Sequence, residues 1–381
     1  MAEAVGETGL SDWGDDAFRE PLNVLLQSCK TEAKLNAAGQ AGVQRQIIDC
    51  LRNRLLIHNE VKRNPDIRNV EICRPLFIAT LPRTGSTLIQ RLLSQDAANR
   101  SPLLWETLAP APAPHFHSHG SDPRIAETQK MIDDAYKQHP ELKAMHATGA
   151  VEPEECLALL CNSFVAPGFN LSAHVPGYMR WLQNQDMLPT YEYYRLQLQI
   201  LQYRYPTRRW VLKAPDHLFA MDALLAVFPD ACVVHCLRDP TESFTSLASL
   251  WNAWIRGGSD DVKTVEMIDE MIRYVRHCTD RFLAARDGSN ASGFFDIEYD
   301  LLVADPIRTV RSLYEHFDLD LTADALERMQ IWLVDNRQHK HGKHRYAMED
   351  FHLNRETIFA AIEPYCRRFG LMVDMDSSAS V

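Results

Sequence analysis

Residues 75–94 read Pro-Leu-Phe-Ile-Ala-Thr-Leu-Pro-Arg-Thr-Gly-Ser-Thr-Leu-Ile-Gln-Arg-Leu-Leu-Ser and constrain the fold more tightly than any other stretch. Leu76 to Ala79 is an apolar run of the length a buried strand needs. Pro82 and Gly85 interrupt it. From Ser86 onward the apolar residues fall at Leu88, Ile89, Leu92 and Leu93, which is helical spacing. The stretch is therefore predicted to be strand, tight loop and helix. N–H groups at a helix start lack intrahelical partners and favour an anion. Thr84 and Gly85 lead into that start, Ser86 and Thr87 add hydroxyl donors, and Arg83 adds a fixed positive charge. The pattern is a phosphate cradle.

It is not a nucleoside-triphosphate cradle. Such a loop reads G-x-x-x-x-G-K-[ST], with a lysine between the second glycine and a Mg²⁺-binding hydroxyl. Here Gly85 is followed directly by Ser86 and Thr87, the cation Arg83 precedes the glycine, and Thr80 holds the position of the first glycine. The loop suits a terminal anion and does not suggest a metal site. A ligand-free strand-to-helix turn can carry the same G-[ST]-T letters, so a second anchor is needed.

A chain of 381 residues accommodates one large domain or two small ones. With 46% apolar and 24% charged residues it has a soluble globular composition. A net charge of −11 opposes nonspecific nucleic-acid binding, so an anion site must be a local basic pocket in an acidic protein. The first thirty residues lack a signal-peptide pattern, and no uncharged apolar stretch reaches about 18 residues, so no membrane-spanning helix is expected. Nine cysteines are scattered without C-x-x-C pairs, which fits a reducing, cytoplasmic setting.

Along the chain, residues 1–14 are acidic and expected to be frayed, and helices are predicted over 16–29 and 35–58. Residues 109–114, Ala-Pro-Ala-Pro-Ala-Pro, should be extended, and a helix should run over 123–139. Another is expected to start at Glu152-Pro-Glu-Glu-Cys156, with Pro153 in its first turn. Phe164, Phe169, Tyr178, Trp181, Tyr191, Tyr193 and Tyr194 then cluster between turn signals. They are read as an apolar acceptor pocket under a lid. Strands are predicted at 209–213, 232–237 and 294–298. Between and after them, helices are predicted over 218–228, 240–254 (broken by Gly257-Gly258-Ser259), 262–285 and from Pro306. Alternating strands and helices define an α/β fold, a parallel sheet flanked by helices, whose ligands bind beyond the carboxyl ends of the strands. The loops at 81–87, 213–217 and 238–240 all lie at such ends.

The third predicted strand supplies the second anchor. It delivers Arg238, and eight residues later, about two turns into a helix begun by Pro240, comes Ser246. A guanidinium and a hydroxyl on rigid elements can hold a second phosphate. A molecule with a terminal phosphoanhydride-like group and a separate ribose phosphate would fit both cradles.

At this point the chain resembles the sulfotransferases that use 3′-phosphoadenylyl sulfate (PAPS), in their bacterial and fungal branch. The resemblance runs in order from about residue 70 to 370. It rests on Leu81-Pro-Arg-Thr-Gly-Ser-Thr87, Trp105-Glu106, Pro153-Glu-Glu-Cys156, Trp210-Val-Leu-Lys-Ala-Pro215 with His217-Leu218, Phe228-Pro-Asp230 and Arg238 with Ser246. Tyr299-Asp-Leu-Leu302, Asp305-Pro306 and His341-Gly-Lys-His-Arg-Tyr346 complete it. Many relatives carry Lys where Arg83 stands. The resemblance implies a P-loop-like fold, PAPS as cosubstrate and adenosine 3′,5′-bisphosphate as product, no metal, and a hydroxylated small-molecule or lipid-like acceptor.

It further implies one domain over residues 1–381. Residues 1–70 form a helical prefix, 71–100 and 206–300 an α/β donor-binding core, and 101–205 a helical acceptor-binding insertion. Residues 301–381 form a helical part with a nucleotide-covering loop. Arg83, Thr84, Gly85, Ser86 and Thr87 would hold the phosphosulfate, and Arg238 and Ser246 the 3′-phosphate. Lys343 and Arg345 would reach it from the loop. Their neighbours His339, His341 and His344 have no trusted zinc spacing. Lys213 would stabilise the leaving oxygen. For the base the resemblance offers Glu106, with His217 as rival; another branch carries its histidine two residues after the lysine, where Pro215 stands here. A P-loop kinase and a non-catalytic nucleotide-binding protein of the same fold are the alternatives.

Overall fold

The computed structural model describes residues 1–138, 148–336 and 347–371. Five strands, β1 Leu76–Ile78, β2 Asn99–Arg100, β3 Arg209–Lys213, β4 Cys232–Leu237 and β5 Phe294–Glu298, form one sheet in the order β2-β3-β1-β4-β5. Every pairing is parallel. In register, Ile78 lies beside Lys213 on one side and Val234 on the other. The three longest strands begin and end where the sequence predicts. The two-residue β2 is too short to carry a periodicity and was not anticipated.

Alternation along the strands divides the core. Phe77, Leu212 and Val233 face the larger cluster, built with the N-terminal helices, the helices Leu188–Tyr203, Pro240–Gly258 and Thr264–Asp287, and the C-terminal residues Phe359 and Tyr365. Leu76, Ile78, Val211, Val234 and Ile297 face a second cluster with Ile89 and Leu92 of the helix Ser86–Leu93 and Leu313 of the helix Pro306–His316. Both sheet faces are therefore covered, which explains why the central strands β1, β3 and β4 read as largely apolar runs, whereas the edge strand β5 exposes Asp296 and Glu298.

Several expectations change. Residues 2–8 are not frayed but form a helix whose Ala4 is fully buried. It lies along the helix Ala37–Arg63, with Glu7 paired to Arg45 at 2.7 Å. The helix expected at Glu152 begins only at Leu157: Pro153 makes an antiparallel bridge with Leu103, and the Cys156 N–H donates to the Lys213 carbonyl at 2.9 Å. The 218–228 segment splits into a 3₁₀ turn, Pro215–Ala220, and a helix, Met221–Val227. The helix from Pro240 passes Trp254 and continues through Gly257 to Gly258. The reason is packing: a Cβ on Gly39 would sit 2.0 Å from the Gly258 carbonyl, so two helices meet there backbone to backbone. Among the described residues no helix is long and apolar enough to cross a membrane.

Candidate active site

The sheet places β1 between β3 and β4, so the loops leaving their carboxyl ends are neighbours. The loop after β1 is held by its own threonines. Thr80 Oγ1 donates to the Cys236 carbonyl at the end of β4, and Thr84 Oγ1 donates to the Leu81 carbonyl, both at 2.7 Å. The Thr84 hydroxyl is thus committed to the loop, leaving its N–H for a ligand. Gly85 caps the 86–93 helix at φ +90°, and a Cβ there would meet Leu302 Cδ2 at 2.8 Å. Only glycine suits both the left-handed backbone and the contact. No backbone hydrogen bond among the described residues uses the N–H groups of Thr84, Gly85, Ser86 or Thr87. The hydroxyls of Ser86 and Thr87 are likewise unengaged by described residues, and the Arg83 side chain is exposed.

Arg238, at the end of β4, donates through Nη1 to the Arg83 carbonyl at 2.9 Å. Its guanidinium stacks 4.0 Å above the Tyr299 ring and lies 3.5 Å from Glu242. Tyr299 also packs against Gly85, so one aromatic ring orients both the loop and the arginine. The adjoining Asp239 caps the next helix, accepting from Thr241 N at 2.9 Å, and pairs with Arg355 at 2.8 Å. Ser243 Oγ donates to the Pro82 carbonyl at 2.5 Å, a tie the sequence did not disclose. Ser246 follows almost a turn later, half-buried and unbonded to any described residue.

Lys213 ends β3 with its side chain 3% exposed, and its Nζ is 2.7 Å from Glu155 Oε1. Beside it, Asp216 accepts from Tyr274 at 2.5 Å. Burial first, and then the charge of Glu155, raise the Asp216 carboxyl to about 6, while the Tyr274 bond works in the opposite direction. Neither Glu155 nor Asp216 was singled out from the sequence for a role. The motif Pro153-Glu-Glu-Cys156 was the available signal, and it became meaningful only once that segment was seen against β3.

Glu106 and His217 are both enclosed. Glu106 is fully buried; its Oε1 is bonded to Arg100 and lies 3.0 Å from His119 Nε2, and its Oε2 accepts from Leu103 N at 2.9 Å. Burial pushes this carboxyl up, but Arg100, His119 and the Leu103 N–H outweigh it and hold it below its ordinary value. His217 is also fully buried, with Nδ1 2.9 Å from the Tyr191 hydroxyl and its ring against Phe77 and Tyr194. Burial lowers it to about 3. Both residues are thus enclosed by protein groups, Glu106 by Arg100, His119 and Leu103, and His217 by Tyr191, Phe77 and Tyr194. Lys343 and Arg345 lie outside the described residues.

Most of the aromatics expected to line an acceptor pocket are buried, while Trp181 and Tyr193 are half-buried. Phe164, Phe169, Tyr178, Tyr191 and Tyr194 are core residues. Phe164 packs on Phe18 at 6.1 Å and stacks on Phe169 at 5.9 Å. A cavity of about 760 Å³ lies instead between the first three helices, lined by Leu22, Leu26, Val43 and Ile47 with Lys30 and Lys34. Its lining includes Gln40, next to Gly39, whose helix meets Gly258 at the far end of the 240–258 helix, which is roughly 27 Å long. Among the described residues no group of three or more His, Cys, Asp or Glu side chains is gathered as a metal ion would need.

The parallel sheet thus carries a lysine-free loop after β1, Lys213 at the end of β3 and Arg238 after β4. Residues 75–324 match the sulfotransferase family, and the chain belongs to it. It is 33% identical to the sulfotransferase STF1 of Mycobacterium tuberculosis, with a TM-score of 0.86 covering 95% of this chain and 97% of that one. It is 29% identical to the sulfotransferase STF9 of Mycobacterium avium, with a TM-score of 0.88 covering 98% and 96%. It is also 27% identical over 283 residues to the omega-hydroxy-beta-dihydromenaquinone-9 sulfotransferase Stf3 of Mycobacterium bovis, covering 72% of this chain and 70% of that protein.

Proposed function

We propose that this protein transfers the sulfuryl group of PAPS to a hydroxyl of a small-molecule or lipid-like acceptor, releasing adenosine 3′,5′-bisphosphate. The observation that carries the reading is the bond from Arg238 to the Arg83 carbonyl, which ties a 3′-phosphate clamp to a phosphosulfate loop. The free N–H groups of Thr84 to Thr87 bind the 5′ end, with the charge of Arg83 and the hydroxyls of Ser86 and Thr87. Arg238 and Ser246 bind the 3′-phosphate, and Lys343 and Arg345 are assigned to cover it. Lys213 stabilises the oxygen that leaves sulfur; loss of one such donor costs on the order of 10²–10³ in rate. PAPS supplies the activated sulfuryl group, so the chemistry needs no metal. Glu106 and His217 are the bases that the family resemblance names, and their enclosure argues for a different proton acceptor.

The kinase alternative lacks support because the loop has no lysine after Gly85. A lipid-like acceptor is favoured by the likeness to Stf3, whose name gives a menaquinone-derived substrate. Nine unpaired cysteines, seven of them buried, favour a cytoplasmic, reducing setting. Incubation with ³⁵S-labelled PAPS and a panel of hydroxylated lipids and metabolites tests the reading. Label should move to at least one alcohol, and nucleoside triphosphate should not replace the donor. Phosphoryl transfer from ATP in place of sulfuryl transfer would overturn it.

A further inference from the structure

The segment carrying Glu155 is gripped from two sides. On one, the Cys156 N–H is bonded to the Lys213 carbonyl at the end of β3. On the other, Gln90, one turn into the helix that follows the phosphate loop, donates to the Glu154 carbonyl at 3.2 Å. Glu155 is thereby suspended above the carboxyl ends of β1 and β3. Its side chain is 30% exposed, whereas the Lys213 side chain it contacts is 3% exposed. Oε1 takes the lysine, and no bond from a described residue engages Oε2. The nearby Asp216 is tethered to Tyr274, and Glu106 and His217 are sealed. Of the acidic and imidazole groups at these strand ends, Glu155 combines a fixed backbone, an open carboxylate oxygen and contact with the cation assigned to the leaving group.

We propose that Glu155 is the general base of the transfer, and that donor binding releases it for that role by drawing Lys213 onto the leaving oxygen. This rests on the PAPS reading above. Without donor, Glu155 neutralises a buried lysine that would otherwise be uncompensated. When Lys213 turns to the phosphosulfate, Glu155 loses its partner beside the entering alcohol. The acceptor O–H bond then breaks toward Glu155 and its oxygen bonds to sulfur. The bond from sulfur to the bridging oxygen breaks, its electron pair leaving on the 5′-phosphate of adenosine 3′,5′-bisphosphate. The proton stays on Glu155 until it passes to solvent.

The test compares wild-type protein with Glu155→Gln, Glu155→Asp and Asp216→Asn. Calorimetry measures adenosine 3′,5′-bisphosphate binding. Labelled PAPS measures turnover with 1-decanol in detergent micelles and with water as sole acceptor. Glu155→Gln should bind the nucleotide as tightly as wild type or several-fold tighter, since a competitor for Lys213 is gone, yet turn over 10²–10⁴-fold more slowly. Glu155→Asp should recover part of that rate. A merely structural Glu155 would weaken binding as its loss loosens the segment. Wild-type turnover in Glu155→Gln, or loss confined to Asp216→Asn, would overturn the assignment while leaving the donor reading intact. Wild-type protein that fails to bind the nucleotide, or binds it and never consumes PAPS, would overturn both.

Discussion

The phosphate loop with its strand ends and the 101–205 insertion obey different rules. In the loop, residues act through backbone geometry that their own sequence dictates. Gly85 is needed at φ +90°, Thr80 and Thr84 fold the turn onto itself, and Pro240 with Asp239 starts a helix at a fixed place. In the insertion, the same kinds of residue take their roles from partners outside their own turn or helix, several of them distant in sequence. Phe164 meets Phe18, Glu106 meets Arg100 and His119, and Glu155 meets Lys213. A local motif can be read from letters, whereas a side chain's exposure is set by what packs over it.

The largest expected contrast comes from Arg238→Ala. It removes the bond to the Arg83 carbonyl and, on the proposed function, the 3′-phosphate ligand, and should abolish nucleotide-induced thermal stabilisation while leaving the ligand-free melting temperature nearly unchanged. Phe169→Ala reverses that pattern. It empties a buried site and should cost about 3–5 kcal/mol in denaturant unfolding, with the KM for the acceptor unchanged in the folded fraction. A raised KM without lost stability would return the aromatics to an acceptor pocket.

Glu106→Gln should act on stability before chemistry. It leaves Arg100 buried without its counter-charge, a loss of up to about 3–5 kcal/mol when one partner of a buried pair is removed. Because the folded-state carboxyl lies below its ordinary value, its stabilising contribution is present above the unfolded pKa, near 4.3, and disappears as pH falls through the folded value. The variant should therefore show a flatter acid-unfolding profile. A stable Glu106→Gln protein with abolished turnover would instead make Glu106 the base. The smallest effect belongs to Asp216→Asn. The carboxyl raised to about 6 by burial costs stability as pH rises from the unfolded value through 6. Removing it should make thermal stability less dependent on pH across that window.

Much of the frame was legible for physical reasons. Strands buried on both faces are largely apolar runs, so β3 and β4 could be delimited to the residue, and the half-buried β5 by its apolar Phe294, Phe295 and Ile297; Pro or Gly marked their neighbours. The positions of Arg238 and Lys213 followed, since each is the terminal or next residue of such a strand. The rest depended on long-range contacts. The 152–156 segment looks like a helix start by its Pro153, but its N–H groups are used against β3. Residues 2–8 lack any large apolar side chain beyond Val5, but Ala4 is buried and their helix packs on one that starts at Ala37. Gly257-Gly258 looks like a helix breaker, but the helix runs through it and Gly258 permits contact with Gly39. Nothing in the letters around Glu106 announces Arg100 and His119 as its cage.

The most direct test of the central claim is a thermal unfolding comparison on the wild-type chain with adenosine 3′,5′-bisphosphate and, separately, with ATP and Mg²⁺. At 100 times its dissociation constant the bisphosphate should add about 2.7 kcal/mol of stability, seen as a clear rise in melting temperature, and ATP with Mg²⁺ should leave the transition where it was. A rise with ATP and Mg²⁺ and none with the bisphosphate would contradict the assignment of the loop and Arg238 to a phosphosulfate donor.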